Sequence, residues 1–568
     1  MQMAQKENKT MWTKDQQKVI DLRNRNILVS AAAGSGKTAV LVERIITMIT
    51  DKEKPVDIDK LLVVTFTNAA AAEMRERIHK AIEKKIDEEP DNLHLRKQGT
   101  LVRNAQITTL HSFCQNLIRN HFNEIDVDPA FRIGDEVELK LLQSDVLDQI
   151  FEEHYEREEE TGEYKDPAFL NLVECYSSGK SDEGLRDILL QLYTFAMSYP
   201  WPEKWLLKQK ENFSISSLEE MEEKEWMQLL KEYVNRMVAE ALAKNTKALQ
   251  IVNSPNGPYM YADALNSDRE YLERLENAAL YEEKYGAICS MEWKRLSTKK
   301  DVDVDADKRE DVKNLRNETK DIIKKLQPQF FFQQPELMLE DMTQLSEPMS
   351  KLVDLTLELK CAYQAAKEEK KVLDFNDLEH FALKILVREE EGELKSTDVA
   401  RMYSEEFAEI LVDEYQDSNA VQETLLNSIS KEAFGLGQNR FMVGDVKQSI
   451  YKFRLARPEI FMEKYENYSL EDSNYQRVDL SKNFRSRAIV LESVNAIFEK
   501  IMKKDLGKVE YDASAKLYVG NTGFPKDGSV SDKTELLLFN ADGEVVKEEE
   551  DTATEEKQFS KRELEAKM

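Results

Sequence analysis

The 568-residue sequence contains no apolar run that approaches the roughly 18 residues needed for a membrane-spanning helix. Its opening stretch, MQMAQKENKTMW, lacks the apolar centre and small-residue cleavage site of a secretory signal, so we expect a cytoplasmic protein. The four cysteines are far apart and show no metal-binding or redox spacing. We therefore expect free thiols in a reducing compartment and no disulfide framework.

Basic residues are outnumbered, with 80 Lys and Arg against 109 Asp and Glu, which gives a net charge of −29. This balance argues against nonspecific attraction to nucleic acid. It does not exclude a local basic groove, because charges more than about 8–10 Å apart are largely screened at physiological salt. Any nucleic-acid site must therefore be argued from local residues.

Small residues are concentrated in ILVSAAAGSGKTAVL, which covers Ile27–Leu41 and is typical of a buried strand, a phosphate-binding loop and a helix start. Glycines let backbone N–H groups surround a triphosphate, and the helix N-terminus adds partial positive charge. In this pattern Lys37 reaches the β- and γ-phosphates and the Thr38 hydroxyl ligates Mg²⁺. A chance small-residue turn is the alternative. The predicted ATP-binding loop comprises Ala31, Ala32, Ala33, Gly34, Ser35, Gly36, Lys37 and Thr38.

Continuous apolar runs predict further buried parallel strands at Leu61–Phe66, Ile107–Leu110, Ile410–Val412 and Phe441–Val443. Alternation of strands and helices predicts an α/β sheet, whose ligands collect at the carboxyl ends of its strands. Between about residues 135 and 371 long charged helices dominate, for example the amphipathic Leu352–Ala366. We interpret that segment as an inserted helical subdomain.

Two acids follow a predicted strand, and their functions differ. Asp413 can hold Mg²⁺, whereas Glu414 can orient and deprotonate the attacking water. An acidic loop is the alternative, which the presence of Lys37 and Thr38 disfavours. Gln448 follows the next strand and is placed to sense a γ-phosphate, and Arg485 is a candidate arginine finger from a second domain.

Aromatic and basic residues alternate after Phe441–Val443, at Tyr451, Phe453 and Arg454. Flat rings stack on unpaired bases and cations hold phosphates, so we favour a single-stranded DNA site over the alternative that these rings belong to the core. The Gln16 amide can read an adenine edge, although a glutamine in this position is weak evidence alone.

The motifs together resemble superfamily 1 DNA helicases of the UvrD/Rep type, and within them the AddA group of bacterial helicase/nucleases. The strings that carry the resemblance are WTKDQQ, SAAAGSGKTAVLVERI, VVTFTNAAAAEMRERI, ITTLHSFC, ILVDEYQDSNAVQ, FMVGDVKQSIYKFRLARP and LSKNFRSR. The resemblance implies a RecA-like P-loop motor domain at 1–134 and 373–470, a helical 1B insertion at 135–372, a partial second RecA-like domain at 471–540, and a charged tail or truncation end at 541–568.

By resemblance, Gln16 reads adenine and Phe484 stacks on it. Lys37, Asp413, Glu414, Gln448 and Arg485 are the catalytic residues, with Thr38 and Asp413 holding Mg²⁺. The expected DNA-channel residues are Phe66, Thr67, Asn68, Thr109, His111, Ser112, Phe113, Tyr451, Phe453 and Arg454. His111 is not expected to bind metal, because no partner ligand lies near it in the sequence.

The resemblance also implies 3′→5′ movement on single-stranded DNA, action on duplex ends, an AddB-type partner and a role in double-strand break repair by homologous recombination. The sequence departs from the family at Ala69, where many relatives carry Lys. Later motor motifs and the nuclease domain do not occur before Met568, so we expect a fragment or truncated product. Such a chain could bind ATP and DNA yet hydrolyse poorly.

A phosphate-loop switch protein such as a GTPase is a further alternative. Thr298–Asp301, TKKD, fits the short guanine-reading pattern. It lies in what we expect to be a charged helical stretch with no buried strand before it, so we interpret the match as coincidence.

Overall fold

Apolar stretches of the sequence form buried strands in the computed structural model of the chain. The structure describes residues 12–158, 161–176, 181–299, 301–390, 393–504, 509–524 and 534–535. The chain divides into two units. Met1–Asp126 and Leu378–Met568 form the sheet unit, and Val127–Asp377 form the helical unit.

The strands are β1 (Asn26–Ala31), β2 (Leu61–Thr65), β3 (Gln106–Thr109), β4 (Arg132–Ile133), β5 (Val372–Leu373), β6 (Val387–Glu390), β7 (Glu393–Ser396), β8 (Glu409–Val412), β9 (Arg440–Gly444), β10 (Tyr475–Leu480), β11 (Lys482–Asn483) and β12 (Tyr518–Val519).

The helices are α1 (Lys14–Asp21), α2 (Lys37–Ile49), α3 (Asn68–Glu88), α4 (Leu93–Leu101), α5 (Leu110–Asn120), α6 (Glu136–His154), α7 (Pro167–Tyr176), α8 (Glu183–Ala196), α9 (Pro202–Phe213), α10 (Leu218–Glu223), α11 (Glu225–Val252), α12 (Ala262–Asn277), α13 (Tyr281–Cys289), α14 (Ala306–Phe330), α15 (Pro335–Glu369), α16 (Phe375–Leu386), α17 (Asp398–Glu406), α18 (Ala420–Ser428), α19 (Pro458–Asn467) and α20 (Ala488–Ile501).

The sheet unit is built on a six-stranded parallel sheet in the order β10–β1–β9–β8–β2–β3. All residues of β2, β8 and β9 are buried, as are five of the six in β1, because helices cover a parallel sheet on both faces. The α/β class and the predicted parallel strands are confirmed. The main core of this unit packs strand residues such as Ile27, Val63 and Phe441 against helix residues such as Ile45 and Ile78.

The register of the sheet aligns the carboxyl ends of its strands. The pairs at this edge are Ala31 with Leu480, Ser30 with Gly444, Val412 with Met442, Val64 with Val412, and Thr65 with Thr109. Every segment with a predicted catalytic residue follows one of these strand ends. The sheet therefore brings together motifs that are far apart in the sequence.

One predicted boundary needs correction. The resemblance implies a partial second domain at residues 471–540, but β10 pairs with β1 along its whole length and forms an edge of the main sheet. Beyond it, β11 and β12 form a separate two-residue parallel pair. The strand expected at Thr534–Phe539 lies mostly outside the described residues.

The helical unit contains α6–α15, with a two-residue parallel pair, β4 with β5. The predicted amphipathic helix forms part of α15, where Leu352, Leu355 and Leu359 are buried against α6, α7 and α8 in one core cluster. A separate cluster packs α11 against α12, α13 and α14. The expected large helical insertion is therefore present. The segment containing Thr298 is irregular, not helical, and Lys300 lies outside the described residues.

Candidate functional site

The loop between β1 and α2 has the conformation that its glycines permit. Gly34 has φ +69° and Gly36 has φ +86°, in the left-handed region that side chains rarely adopt. The Ser35 N–H donates to the Ala32 carbonyl at 3.1 Å, and Gly36 is the N-cap of α2. Lys37 is thus the first residue of a helix at the carboxyl edge of the sheet, where helix N-terminal N–H groups attract phosphate.

The side chains of Lys37 and Glu414 meet at this edge. Lys37 Nζ donates to the two Glu414 carboxylate oxygens at 3.2 and 3.0 Å, and the Lys37 side chain is only 13% exposed. Glu414 itself has φ +51°, an unfavourable conformation for a residue with a side chain. The fold therefore brings together the predicted phosphate-binding lysine and the predicted base, which are 377 residues apart.

Asp413 lies next to this ion pair, at the end of β8. Burial, with a smaller contribution from the Glu414 charge, raises the pKa of Asp413 to about 6. Its Oδ1 accepts the Glu414 N–H at 3.1 Å. A carboxylate beside a threonine hydroxyl suits Mg²⁺, which keeps several waters and takes few protein ligands. Thr38 and Asp413, each adjacent to a member of the Lys37–Glu414 pair, fit that donor set. Within the described residues no group of three or more acidic, His or Cys side chains could hold a metal.

The chain after β10 is hydrogen-bonded to the phosphate loop. The Asn483 side-chain amide donates to the Ala33 carbonyl at 2.7 Å, and the Phe484 N–H donates to the Gly34 carbonyl at 2.8 Å. A Cβ placed on Gly34 would lie 2.9 Å from the Arg485 Cβ. Arg485, predicted to reach the phosphate from a second domain, thus lies beside the loop within the sheet unit, with an exposed side chain.

Gln16 also contacts the phosphate loop. Its side-chain Nε2 donates to the Ser35 carbonyl at 3.0 Å, and its Oε1 accepts the Thr13 N–H at 3.0 Å in a capping box that starts α1. An amide has two donors and two acceptor lone pairs, so one of each is left for a ligand. Adenine recognition by Gln16 and stacking by Phe484 stay predictions.

Gln448 is held by the buried Asp445. Its Nε2 donates to Asp445 Oδ2 at 2.7 Å, and Lys447 Nζ lies 2.8 Å from Asp445 Oδ1. These residues follow β9, which lies between β1 and β8 in the sheet. Gln448 therefore follows β9, which lies between β1, the strand before the phosphate loop, and β8, the strand before Glu414.

Predicted DNA-binding aromatics from two strand ends form one cluster. The Phe66 and Tyr451 rings stack with centroids 4.8 Å apart, and Tyr451 lies 5.9 Å from Phe453. The Arg454 guanidinium lies 5.2 to 5.9 Å from all three ring centroids. Phe453 is 75% exposed, which is incompatible with the alternative that it is a core residue. We call these four residues the aromatic cluster.

The residues after β2 and β3 have mainly local structural contacts. Thr67 and Thr109 are the N-caps of α3 and α5, and the Thr109 hydroxyl bonds to Ser112 Oγ at 2.9 Å and to Asn68 Oδ1 at 3.4 Å. Phe113 corrects its prediction. It is 3% exposed and packs against the half-buried Tyr403 ring and the buried Phe407 ring, so its faces are not available to a base.

His111 pairs with a carboxylate that sequence reasoning did not identify. Its Nε2 lies 3.1 Å from Oε1 of Glu379, which is only 4% exposed. Burial would raise the pKa of Glu379, but hydrogen bonds from His111, Gln422 and Asn419 leave it lowered. Asn483 and Gln416 were not predicted either. Both belong to the motifs that carry the family resemblance and lie within two residues of predicted site residues. This position in the motifs is the sequence signal that could have indicated them.

Within the described residues, no helix is long and apolar enough to cross a membrane. Residues 12–279 and 260–469 match the family model of the UvrD/REP helicase N-terminal domain. The chain is 52% identical to the A subunit of the ATP-dependent helicase/nuclease of Lachnoclostridium phytofermentans, over 98% of this chain and 42% of that protein. It is 41% identical to the protein of the same name from Clostridium botulinum, over 98% of this chain and 45% of that protein.

The corresponding Bacillus cytotoxicus protein is 42% identical, over 97% of this chain and 44% of its own length. The chain thus spans less than half the length of these relatives. The family match covers most of the sequence and includes every strand of the six-stranded sheet except β10. It also includes the phosphate loop, the Lys37–Glu414 pair and the aromatic cluster described above. The chain belongs to the UvrD/REP helicase family.

Proposed function

We propose that this chain is the ATP-binding motor part of a DNA helicase that hydrolyses ATP at the carboxyl edge of its sheet. The observation that carries the proposal is the Lys37–Glu414 contact beside Asp413. In this mechanism Lys37 binds the β- and γ-phosphates, which draws its ammonium away from Glu414. The freed Glu414 carboxylate accepts a proton from the attacking water.

Gln448 and Arg485 contact the γ-phosphate and stabilise the charge that develops on it. Thr38 and Asp413 would hold Mg²⁺, which neutralises phosphate charge when it is bound. We propose that Gln16 reads adenine and that Phe484 stacks on it. The hydrogen bond from the Phe484 N–H to the Gly34 carbonyl supports this arrangement, because it holds Phe484 beside the phosphate loop.

We also propose that the aromatic cluster binds single-stranded DNA, with bases stacking on the exposed ring of Phe453 and phosphates contacting Arg454. By analogy with the named relatives, the complete protein would move 3′→5′ and unwind duplex ends. It would act with an AddB-type partner in a helicase–nuclease complex for recombinational repair in the cytoplasm. This part of the proposal rests on family resemblance.

The test is ATP turnover by the purified chain with and without single-stranded DNA. We expect DNA to stimulate turnover and Lys37→Ala to abolish it, because the variant lacks the phosphate-binding ammonium. Lys60→Ala is the matched control, since Lys60 is an exposed lysine of the same unit whose ion pair with Glu406 lies away from the phosphate loop. Equal turnover by wild type and Lys37→Ala would refute the assignment.

The second candidate is a module that binds ATP and DNA but turns ATP over slowly. It would give tight binding of both ligands without stimulation by DNA. A guanine-specific switch would instead prefer GTP. The Asp301 carboxylate that such a site would use accepts a hydrogen bond from the Tyr259 hydroxyl at 2.7 Å, which does not favour that alternative.

A further inference from the structure

The side-chain amide of Gln416 links two catalytic segments of the sheet unit. Gln416 is 1% exposed and lies just after Glu414. Its Nε2 donates to Glu414 Oε2 at 2.9 Å and to Asp417 Oδ2 at 3.2 Å. Its Oε1 accepts the backbone N–H of Asp445 at 3.0 Å. One buried amide thus contacts the segments that follow β8 and β9.

The contact continues from Asp445 to Gln448. Asp445 is 1% exposed, and its Oδ2 accepts the Gln448 side-chain amide at 2.7 Å. A chain of hydrogen bonds therefore runs from the Glu414 carboxylate through Gln416 and Asp445 to Gln448. The proposed base and the proposed γ-phosphate sensor are held in one network.

The local packing leaves room for this amide and little else. A Cβ on Gly444 would overlap Gln416 Oε1 and would lie 3.2 Å from Phe461 Cε2. Glycine at 444 is therefore required if the amide is to reach the Asp445 N–H. Glutamine suits position 416, because its side-chain amide donates to one partner and accepts from another without carrying charge.

We propose that Gln416 is a positioning residue for ATP hydrolysis, which holds the Glu414 carboxylate in register with Gln448. The inference rests on the proposed function. Glu414 needs such support because its backbone is in the left-handed region and its carboxylate also pairs with Lys37. A base held by a buried donor stays aligned with the attacking water after Lys37 moves to phosphate.

The test is Gln416→Met in the purified chain, with ATP turnover and the Kd of a fluorescent ATP analogue measured in parallel. The variant keeps an unbranched side chain of similar length and removes both the donor to Glu414 and the acceptor for the Asp445 N–H. We expect kcat to fall at least about tenfold, as for a misplaced general base, while nucleotide Kd and KM change less than about threefold. A merely structural role would lower kcat and binding together, or neither.

Gln98→Met is the matched control. Gln98 is fully buried, its Oε1 accepts the Ile58 N–H at 2.8 Å and its Nε2 donates to Asp57 at 2.6 Å, away from the phosphate loop. The chemical change and its folding cost are therefore similar, but turnover should stay near the wild-type value. Gly444→Ala is a second variant, which displaces the Gln416 amide without changing charge and should also lower kcat selectively.

The outcomes separate the two claims. If Lys37→Ala abolishes turnover while Gln416→Met and Gly444→Ala behave like Gln98→Met, the positioning role is wrong and the proposed function stands. If wild type and Lys37→Ala turn over ATP equally, the proposed function fails and the inference falls with it. A selective loss of kcat in both site variants supports the inference.

Discussion

At the residue level, burial raises the pKa of two carboxyl groups in the site. Burial raises the pKa of Asp417 to about 6, with a smaller contribution from the Glu414 charge, and its Oδ1 has no hydrogen-bond partner among the described residues. Asp413 has a pKa raised to a similar value for the same reasons. Such groups lower the stability of the folded state at neutral pH, which is common in sites that serve function over stability.

Asp417 gives a prediction with a definite sign. Because its pKa is about 6 in the folded chain and about 3.9 when unfolded, its contribution to stability is present below pH 4 and is lost as pH rises through 6. Asp417→Asn removes this loss. The free energy of unfolding of the variant minus that of the wild type should therefore increase by about 1 kcal/mol when the pH is raised from 5 to 8.

Urea unfolding at both pH values measures this difference, and pH effects of other groups cancel in the comparison. Asp91→Asn, at an exposed position, should shift stability equally at pH 5 and pH 8. A variant at 417 that follows the wild-type pH dependence would contradict the prediction.

At the scale of elements, strand ends decide which side chains meet. The Phe66 ring follows β2 and the Tyr451 ring follows β9, yet the sheet order places β8 between these two strands. The rings nevertheless stack at 4.8 Å, because the loop after β9 crosses the strand end toward β2. An Arg457 N–H bond to the Ser418 carbonyl at 2.9 Å fastens that loop to the segment after β8. The aromatic cluster is thus a product of loop path as well as strand order.

The exposed ring of Phe453 should carry much of the affinity for single-stranded DNA. We expect Phe453→Ala to weaken binding of a short oligonucleotide by about 1–3 kcal/mol, which is roughly 5–150-fold. Its exposure means that truncation removes little core packing, so the melting temperature should hardly change.

Fluorescence anisotropy with a labelled oligonucleotide measures the effect. Phe332→Ala is the control, because Phe332 is a similarly exposed phenylalanine of the helical unit at 62%. Equal losses in the two variants would mean that the cluster is not a specific DNA surface.

At the scale of the whole molecule, the chain contains two units with separate cores. The main core of the sheet unit lies around the parallel strands, whereas the helical unit has several clusters of its own. Every residue proposed to contact nucleotide belongs to the sheet unit. A ligand that binds only one unit stabilises that unit by mass action and leaves the other to its own packing.

We therefore expect an ATP analogue with Mg²⁺ to slow amide hydrogen exchange in the sheet unit and not in the helical unit. At about 100 times Kd, the stabilisation is about 2.7 kcal/mol, or roughly 100-fold in the exchange of amides that open through unfolding of that unit. Exchange measured by mass spectrometry on peptides from β1, β8 and α11 tests this. Lys37→Ala should show no protection, and equal protection of α11 would contradict the prediction.

Local sequence patterns are enough to predict five of the six parallel strands, the phosphate loop and the family. An apolar run predicts a buried strand wherever it lies, and glycine at positions 34 and 36 reflects a backbone demand within the loop. Residue types alone also identified Lys37, Asp413 and Glu414 as candidates. The extent of the first domain did not follow from local patterns, because the pairing partner of β10 is not encoded in its own residues.

Local patterns do not show which candidate residues meet or which are buried, because both depend on how distant segments pack in the folded chain. The hydrogen bond from Lys37 to Glu414 joins residues that are 377 positions apart in the sequence. The burial of Phe113 depends on its packing against Tyr403 and Phe407. The bridging amide of Gln416 could not be inferred either, because a hydrogen bond requires distance and direction that emerge only when the strands are paired. The residue types indicate the chemistry of the site, whereas its geometry depends on the order and pairing of the strands in the sheet.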